Sequence, residues 1–256
     1  MDNLKQKVED LEKMTDEGEI VKQLQEIGKM LLTDYIIKVG DITVEPLWIE
    51  AYYYNGNNKA EDDKNNSKEW KTSFKDPFIH GVKEQKDNGG NFYFHPKNGN
   101  YSGVDICLSY GPEYYLSYLL KYTFVYKDDN EQGKLLKQSQ LKGSIKNTYD
   151  NLSETEKSNI LLPKKRKTDV IAFTSRIGLN SEKEKNPIKK EAKEHYKSLE
   201  LAIVRDFHKN YESEVSLPQK EKLIKKYLND EKLSFTKEQK ADFCNKHLNY
   251  CPKEFK

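Results

Sequence analysis

The first 32 residues place apolar side chains at intervals of three or four, as on one face of a helix. A polar break at Thr15-Asp16 divides this pattern in two. We therefore predict one helix over residues 3–14 and a second that continues to about Leu32. Their apolar positions are Leu4, Val8, Leu11 and Met14, then Ile20, Leu24, Ile27 and Leu31.

The pattern then changes to apolar and aromatic runs that are typical of strands. The segment DYIIKVGDITVEPLWIEAYYY predicts two strands joined at Gly40-Asp41, and Pro46 predicts a bulge or an edge position in the second. NFYFH and YSGVDICLS predict two further strands, and the tyrosine-rich run over 114–126 favours another. Residues 55–75 are polar and predict a long loop, either mobile or functional.

The second half alternates polar stretches with two short apolar runs. Residues 127–163 predict short helices, TDVIAFTS and SLELAIVRDF predict strands, and residues 181–196 predict a helix between them. Two amphipathic helices, one after Ser216 and one after Thr236, are expected at the C-terminal end. We expect an α+β fold: a mixed, mainly antiparallel, curved sheet flanked by helices. Its divisions would be N-terminal helices (1–32), an α+β domain (33–210) and a helical appendage (211–256).

Composition narrows the class of protein. With 17 tyrosines and 11% aromatic residues among 256, the chain is too aromatic for a disordered protein. The net charge of +2 divides into −5 over residues 1–150 and +7 over residues 151–256. A basic second half suits nucleic acid, but it equally suits a solvated helical surface.

The cysteines and the apolar runs exclude other classes. Cys107, Cys244 and Cys251 are odd in number and show no tight spacing, which argues against a disulfide framework and a zinc site. No run of 18 apolar residues occurs, and the charged N-terminus does not resemble a signal peptide. We therefore expect a soluble, cytoplasmic protein without a membrane partner, and we expect no metal and no cofactor.

One short run, WIEAYYYNGN (48–57), places a single carboxylate among apolar and aromatic residues. Strand alternation puts Glu50 and Tyr52 on the same face. Burial disfavours the charged form of a carboxylate, which suits a general base, and a tyrosine ring offers a flat surface to a planar ligand. His80, in a later loop, is a candidate to join them. The ordinary alternative is a solvent-facing Glu50, a core Tyr52 and a solvated His80.

Four segments in order resemble the alkyladenine (3-methyladenine) DNA glycosylase family. They are Glu50-Ala51-Tyr52, the Asp76-to-His80 segment DPFIH, the strand YSGVDICLS (101–109) and Ser175-Arg176-Ile177-Gly178. The similar span covers residues 30–207. The resemblance implies a barrel-like sheet and a monofunctional hydrolase that removes a modified base from DNA, without a cofactor and as a monomer, associated with the nucleoid.

The resemblance also implies roles for residues. Glu50 would activate the water that attacks the glycosidic carbon, and Tyr52 and His80 would stack on or hydrogen-bond the extruded base. Tyr101 would lie where the family inserts a side chain into the duplex. Arg176 would contact nucleic acid, or it would pair with an acid inside the fold.

Several positions depart from the family pattern. Ser109 stands where the family has an asparagine that contacts the base, and Ser175 stands before Arg176 in place of proline. Lys121 is the nearest candidate for a family arginine. Asp105 is an additional acid, expected either to face Glu50 across the site, near the base, or to pair with a basic residue. Because Ser109 lacks an amide, the choice among purines is the property most affected.

Three further features of the sequence each have two possible interpretations. His95 would join the site or cap a strand, the KKRK run at 164–167 would bind phosphate or aid solubility, and the C-terminal helices would pack on the domain or bind a partner. Two rival functions also remain: a module that binds a nucleobase or nucleic acid without cleaving it, and an interaction protein that uses its helical additions.

Overall fold

The computed structural model describes residues 2–56, 58–65, 68–86, 89–96, 102–127, 133–164, 171–176, 178–205, 224–225, 228–229, 235–248 and 250–255. The helices with defined bounds are α1 (Asp2–Glu12), α2 (Glu17–Thr33), α3 (Lys59–Asn65), α4 (Gln138–Asp150), α5 (Glu154–Lys157), α6 (Pro187–Ser198) and α7 (Lys237–Leu248). The strands are β1 (Tyr35–Val39), β2 (Ile42–Asn55), β3 (Phe92–Phe94), β4 (Val104–Cys107), β5 (Tyr114–Lys127), β6 (Lys134–Lys137), β7 (Leu161–Pro163), β8 (Ile171–Thr174) and β9 (Ala202–Arg205).

These strands form one sheet built around a long central pair, β2 and β5. The main path runs β3-β4-β5-β2-β1-β7, while β6 pairs with β5 and the β8–β9 pair joins β2 through β9. The expected α+β fold, a sheet flanked by helices, is confirmed. Every pairing between described strands is antiparallel, so the described sheet has no parallel component, and it does not close into a barrel.

Pro46 interrupts the central pair as predicted. The register between β2 and β5 shifts between Pro46 and Trp48 and again between Trp48 and Ile49. Proline has no backbone N–H to give to the ladder, so a bulge at this position is expected. Beyond the bulge, β2 pairs with β9 on its other edge, from Trp48 to Glu50.

Helix α2 covers one face of this central pair. The Tyr118 hydroxyl donates to the backbone carbonyl of Leu24 across 2.8 Å, which ties β5 to α2. Gly28 allows a close approach, because a Cβ at this position would lie only 3.1 Å from the Tyr118 ring and 2.8 Å from Ile203. Leu4 and Leu24 are completely buried in the same core cluster as the sheet, so the N-terminal helices form part of the domain core.

Two sequence predictions need correction. The polar stretch at 55–75 is not one loop: it contains α3 and a short 3-10 helix over Glu69–Lys71. The helix predicted over 181–196 begins only at Pro187, because the Asn186 side chain caps its N-terminus and accepts from the N–H groups of Ile188 and Lys189.

The C-terminal part forms a second, smaller core. The helix predicted after Thr236 is present as α7, whereas most of the helix predicted after Ser216 lies outside the described residues. The small core consists of Ala172, Ile224, Leu228, Cys244 and Phe255, so the C-terminal segment packs on β8. No helix in the described part of the chain is long and apolar enough to cross a membrane.

Candidate functional site

A cavity of about 750 Å³ lies on the face of the sheet opposite α2. Side chains alternate along β5, so Tyr118 faces α2 while Leu119 and Lys121 line the cavity. The other residues used below that line it are Glu50, Tyr52, His80, Gln85, Tyr93, His95, Asp105 and Lys193.

Four strands place a row of side chains across the cavity wall. Glu50 on β2 is in register with Leu119 on β5, Leu119 with Asp105 on β4, and Asp105 with Tyr93 on β3. Neighbouring strands lie about 4.8 Å apart, so the backbones of Glu50 and Asp105 are separated by roughly 10 Å. The sheet therefore presents two acids in one cavity with a leucine between them.

Glu50 is held by two side chains of the central strands. It is completely buried, although it lines the cavity. The Tyr52 hydroxyl donates to Glu50 Oε2 across 3.1 Å, and Lys121 Nζ lies 3.9 Å from Oε1. Burial, together with the charge of Glu50, raises the pKa of Tyr52 well above its ordinary value. The tyrosine therefore stays protonated and acts as a hydrogen-bond donor.

Arg176 lies inside the fold and pairs with Asp76. Both side chains are fully buried, and the guanidinium also donates to the backbone carbonyl of Ala51 across 3.1 Å. Its central carbon lies 4.6 Å from the centre of the Tyr52 ring. Of the two roles considered for Arg176, the internal ion pair is the one observed, because the buried guanidinium presents no surface to a phosphate. One face of Tyr52 is likewise covered by Arg176, which leaves less of the ring for a bound base.

Asp105 is the centre of a second group of polar side chains. It is almost completely buried, and His95 Nε2 lies 2.7 Å from Oδ1. Ser117 Oγ and Gln85 Nε2 both donate to Oδ2, across 2.8 Å and 3.0 Å. Asp105 thus shares a face with Glu50 and pairs with a basic residue, combining the two arrangements that the sequence left open.

Three rings lie together at the side of the cavity next to Asp105. The ring centre of His95 lies 4.5 Å from that of His80 and 4.8 Å from that of Tyr93. His80 Nδ1 lies 2.8 Å from the Tyr93 hydroxyl oxygen. Partial burial, followed by the proximity of His95, lowers the pKa of His80. Of the three rings, His80 keeps the most exposed surface and offers a flat face to a planar ligand, whereas Tyr93 is buried beneath the two histidines.

Other predicted site residues lie elsewhere. The Ser109 hydroxyl is buried within hydrogen-bond distance of the carbonyls of Gly111 and Tyr114, 2.9 Å and 2.8 Å away. Ser109 therefore closes the turn before β5 and is not part of the cavity lining, in contrast to its expected contact with a base. Tyr101 and residues 165–167 of the KKRK run lie outside the described residues.

Sequence reasoning missed Gln85 and Tyr93 in the cavity lining and Ser117, which donates to Asp105, and it left His95 open. Gln85, Tyr93 and Ser117 gave no functional signal, although Ser117 is a polar residue inside the apolar run YYLSYLL. The partners of Asp105 depend on the register between strands, which no local pattern specifies. Within the described ranges, no group of three or more His, Cys, Asp or Glu side chains is arranged to hold a metal ion.

Comparison with known proteins adds no relative. No protein-family model matches the chain, and no curated protein matches its sequence. The chemistry of the cavity is therefore the basis for a functional proposal.

Proposed function

We propose that this protein hydrolyses the N-glycosidic bond of a modified base in DNA, with Glu50 as the group that activates water. The observation that carries the proposal is the buried Glu50 in the wall of a cavity, held by Tyr52 and Lys121. Burying a carboxylate is costly, so its position on a cavity wall favours a chemical role over a purely structural one.

The reaction suits a carboxylate at this position. Glu50 takes a proton from a water molecule, whose oxygen attacks the sugar carbon while the bond to the base breaks. The sugar carries positive charge in the transition state, and a nearby carboxylate stabilises that charge. The hydrogen bond from Tyr52 orients the carboxylate, and Lys121 Nζ lies 3.9 Å from its other oxygen.

The cavity has the size and the lining to hold an extruded base. Its volume of about 750 Å³ lies within the range of about 300–1,000 Å³ for small-molecule sites. An enzyme that acts on a base in a duplex must unstack the base and hold it against flat side chains, a role that fits His80, Tyr93 and His95. Lys121 and Lys193 supply positive charge to the lining, which favours an anionic strand.

The test is base release from duplex DNA that carries hypoxanthine, ethenoadenine or a methylated purine. We expect the wild type to release the nucleobase and Glu50→Gln to lose this activity. The substitution keeps the size of the side chain but removes the carboxylate that would accept a proton from water. Glu113→Gln is the matched control, because Glu113 is an exposed carboxylate outside the cavity lining. Release that persists in Glu50→Gln would contradict the assignment of Glu50.

A second candidate is a module that binds a base or nucleic acid without cleaving it. It is favoured by the burial of Glu50, because the side chain has no exposed surface and water reaches it only after a local movement. This candidate predicts binding to duplex DNA that weakens steeply with salt, equally in wild type and Glu50→Gln, and no release. Absence of both binding and release would favour the remaining alternative, an interaction protein that uses its helical surfaces.

A further inference from the structure

The register of the central strand pair gives Lys121 a special position. On β5, Leu120 lies opposite Ile49, and the next paired residue, Tyr122, lies opposite Trp48. Lys121 between them therefore has no partner on β2. This is the pattern of a bulge, in which one strand contributes an extra residue and a side chain is turned to a new direction, often beside an active site. At this bulge, the lysine side chain lines the cavity.

Two of the residues that line the cavity carry an amine, Lys121 and Lys193, and their surroundings differ. Lys193 Nζ donates to Glu184 Oε2 across 2.8 Å, and this charged hydrogen bond keeps the proton on the nitrogen. Lys121 Nζ lies 3.9 Å from Glu50 Oε1, which is too far for a hydrogen bond, and no other described residue accepts from it. Of the two amines, Lys121 is therefore the one that is free to react.

Glu50 is placed to accept the proton that Lys121 must lose before it reacts. An ammonium has no free electron pair, whereas a neutral lysine amine attacks a carbonyl carbon and forms an imine. The Glu50 side chain is fully buried and that of Lys121 is 18% exposed, so little water surrounds either charge. Burial penalises two separated charges, which lowers the cost of passing the proton from the ammonium to the carboxylate. The cavity thus holds an amine beside a proton acceptor.

We propose a second activity in this cavity: Lys121 forms an imine with the abasic sugar that base release leaves, and the DNA strand is then cleaved on the 3′ side of that sugar by β-elimination. The inference rests on the proposed function for its substrate, because the abasic sugar is the product of that reaction. Glu50 is proposed to act at C1′, the carbon that becomes an aldehyde when the abasic sugar opens. An amine 3.9 Å from Glu50 Oε1 is within reach of this aldehyde.

Protons and electron pairs balance at each step. Glu50 takes a proton from the Lys121 ammonium, the amine nitrogen bonds to C1′, and Glu50 returns the proton to the departing oxygen, which leaves as water. Glu50 then takes a proton from C2′ of the iminium, and the electron pair released there expels the 3′ phosphate as the C3′–O3′ bond breaks. Water hydrolyses the unsaturated iminium, which frees Lys121 as an ammonium, and Glu50 releases its proton to solvent. No oxidant or reductant takes part.

The experiment uses duplex DNA with one preformed abasic site, so it does not depend on which base the protein removes. With borohydride present, which reduces an imine to a stable amine, we expect a covalent adduct between the protein and the DNA. Without borohydride, we expect cleavage of the strand 3′ to the site. Lys121→Arg keeps the positive charge but does not form an imine, so it is expected to lose both the adduct and the cleavage.

Three further measurements separate Lys121 from other amines. Lys127→Arg is the matched control, because Lys127 is an exposed lysine on the same strand, paired with Asp41 and outside the cavity lining, and we expect it to react at the wild-type rate. Lys193→Arg tests the other amine of the cavity and is expected to form the adduct. Peptide mass spectrometry of the wild-type adduct is expected to find the reduced sugar on Lys121, a result that does not require any variant to fold.

The failure of this inference is distinct from the failure of the proposed function. A wild type that releases a base but forms no adduct stops at base release and overturns the inference alone. An adduct that persists in Lys121→Arg, or that maps to another residue, also overturns it. An adduct on Lys121 in a protein that releases none of the tested bases supports the inference and contradicts the proposed base release. Absence of both adduct and release overturns both.

Discussion

The Tyr52 hydroxyl donates a hydrogen bond to Glu50 Oε2 across 3.1 Å, from the same face of the same strand. A hydrogen bond to a charged group contributes about 1.5–3 kcal/mol. Tyr52→Phe keeps the ring and removes this donor, so we expect base release to slow by roughly 10- to 100-fold. Single-turnover kinetics would measure it.

Tyr126→Phe provides a matched control for that substitution. The Tyr126 hydroxyl also donates to a glutamate on β2, Glu45, across 3.0 Å, but neither residue lines the cavity. We expect the Tyr126→Phe variant to release the base at the wild-type rate. Equal rates in all three proteins would show that Glu50 keeps its orientation without Tyr52.

His80 is expected to titrate below the ordinary histidine value of about 6.5, because burial and His95 lower its pKa. The folded protein then binds this proton only at a lower pH than the unfolded chain does. The contribution of His80 to the free energy of unfolding is therefore present above about pH 6.5 and is lost as pH falls through the lowered pKa. NMR titration would give the pKa, and His95→Gln should raise it. A His80 resonance that titrates above 6.5 would contradict the expectation.

Removing Arg176 should destabilise the protein strongly. Arg176→Met leaves Asp76 as a buried, unpaired carboxylate, and breaking a buried ion pair costs about 3–5 kcal/mol. Urea unfolding would measure the change, with Lys190→Met as the control. Lys190 pairs with Glu194 on the surface of α6, where an ion pair contributes less than about 1 kcal/mol. A small loss in Arg176→Met would mean that Asp76 finds other partners.

The N-terminal helices should be necessary for stability. Leu24 is completely buried between α2 and the sheet, so Leu24→Ala is expected to lower the free energy of unfolding by about 2–5 kcal/mol. Glu26→Ala, two residues further along the exposed side of α2, should change it by less than about 0.5 kcal/mol. If both substitutions had equally small effects, α2 would be an addition to the domain and not part of its core.

Local patterns in the sequence were sufficient for some parts of this structure. The period of two in β2 placed Glu50 and Tyr52 on one face, and the helical period identified α1 and α2. Pro46 marked the bulge, because the absence of its N–H is a property of that one residue. Each of these features depends on neighbours within a few positions along the chain.

Other parts depend on pairings that local patterns do not contain. Arg176 meets Asp76 from 100 residues away, and His95 meets Asp105 only because β3 and β4 pair in one particular register. Ser109 took a different role from the one that the resemblance implied, because a hydroxyl beside a turn can reach nearby carbonyls.

Side chains along β5 alternate between the cavity and α2. For the structure, the number of residues in this strand therefore matters more than the identity of most of them. Ser117 and Leu119 belong to the cavity side, whereas Tyr118 between them is bound to α2. One inserted residue would exchange the two sides, turning Tyr118 toward the cavity and Leu119 toward the helix. Unless a bulge absorbed it, a change of one residue in the count would therefore disturb the packing of β5 on α2 and the lining of the cavity together.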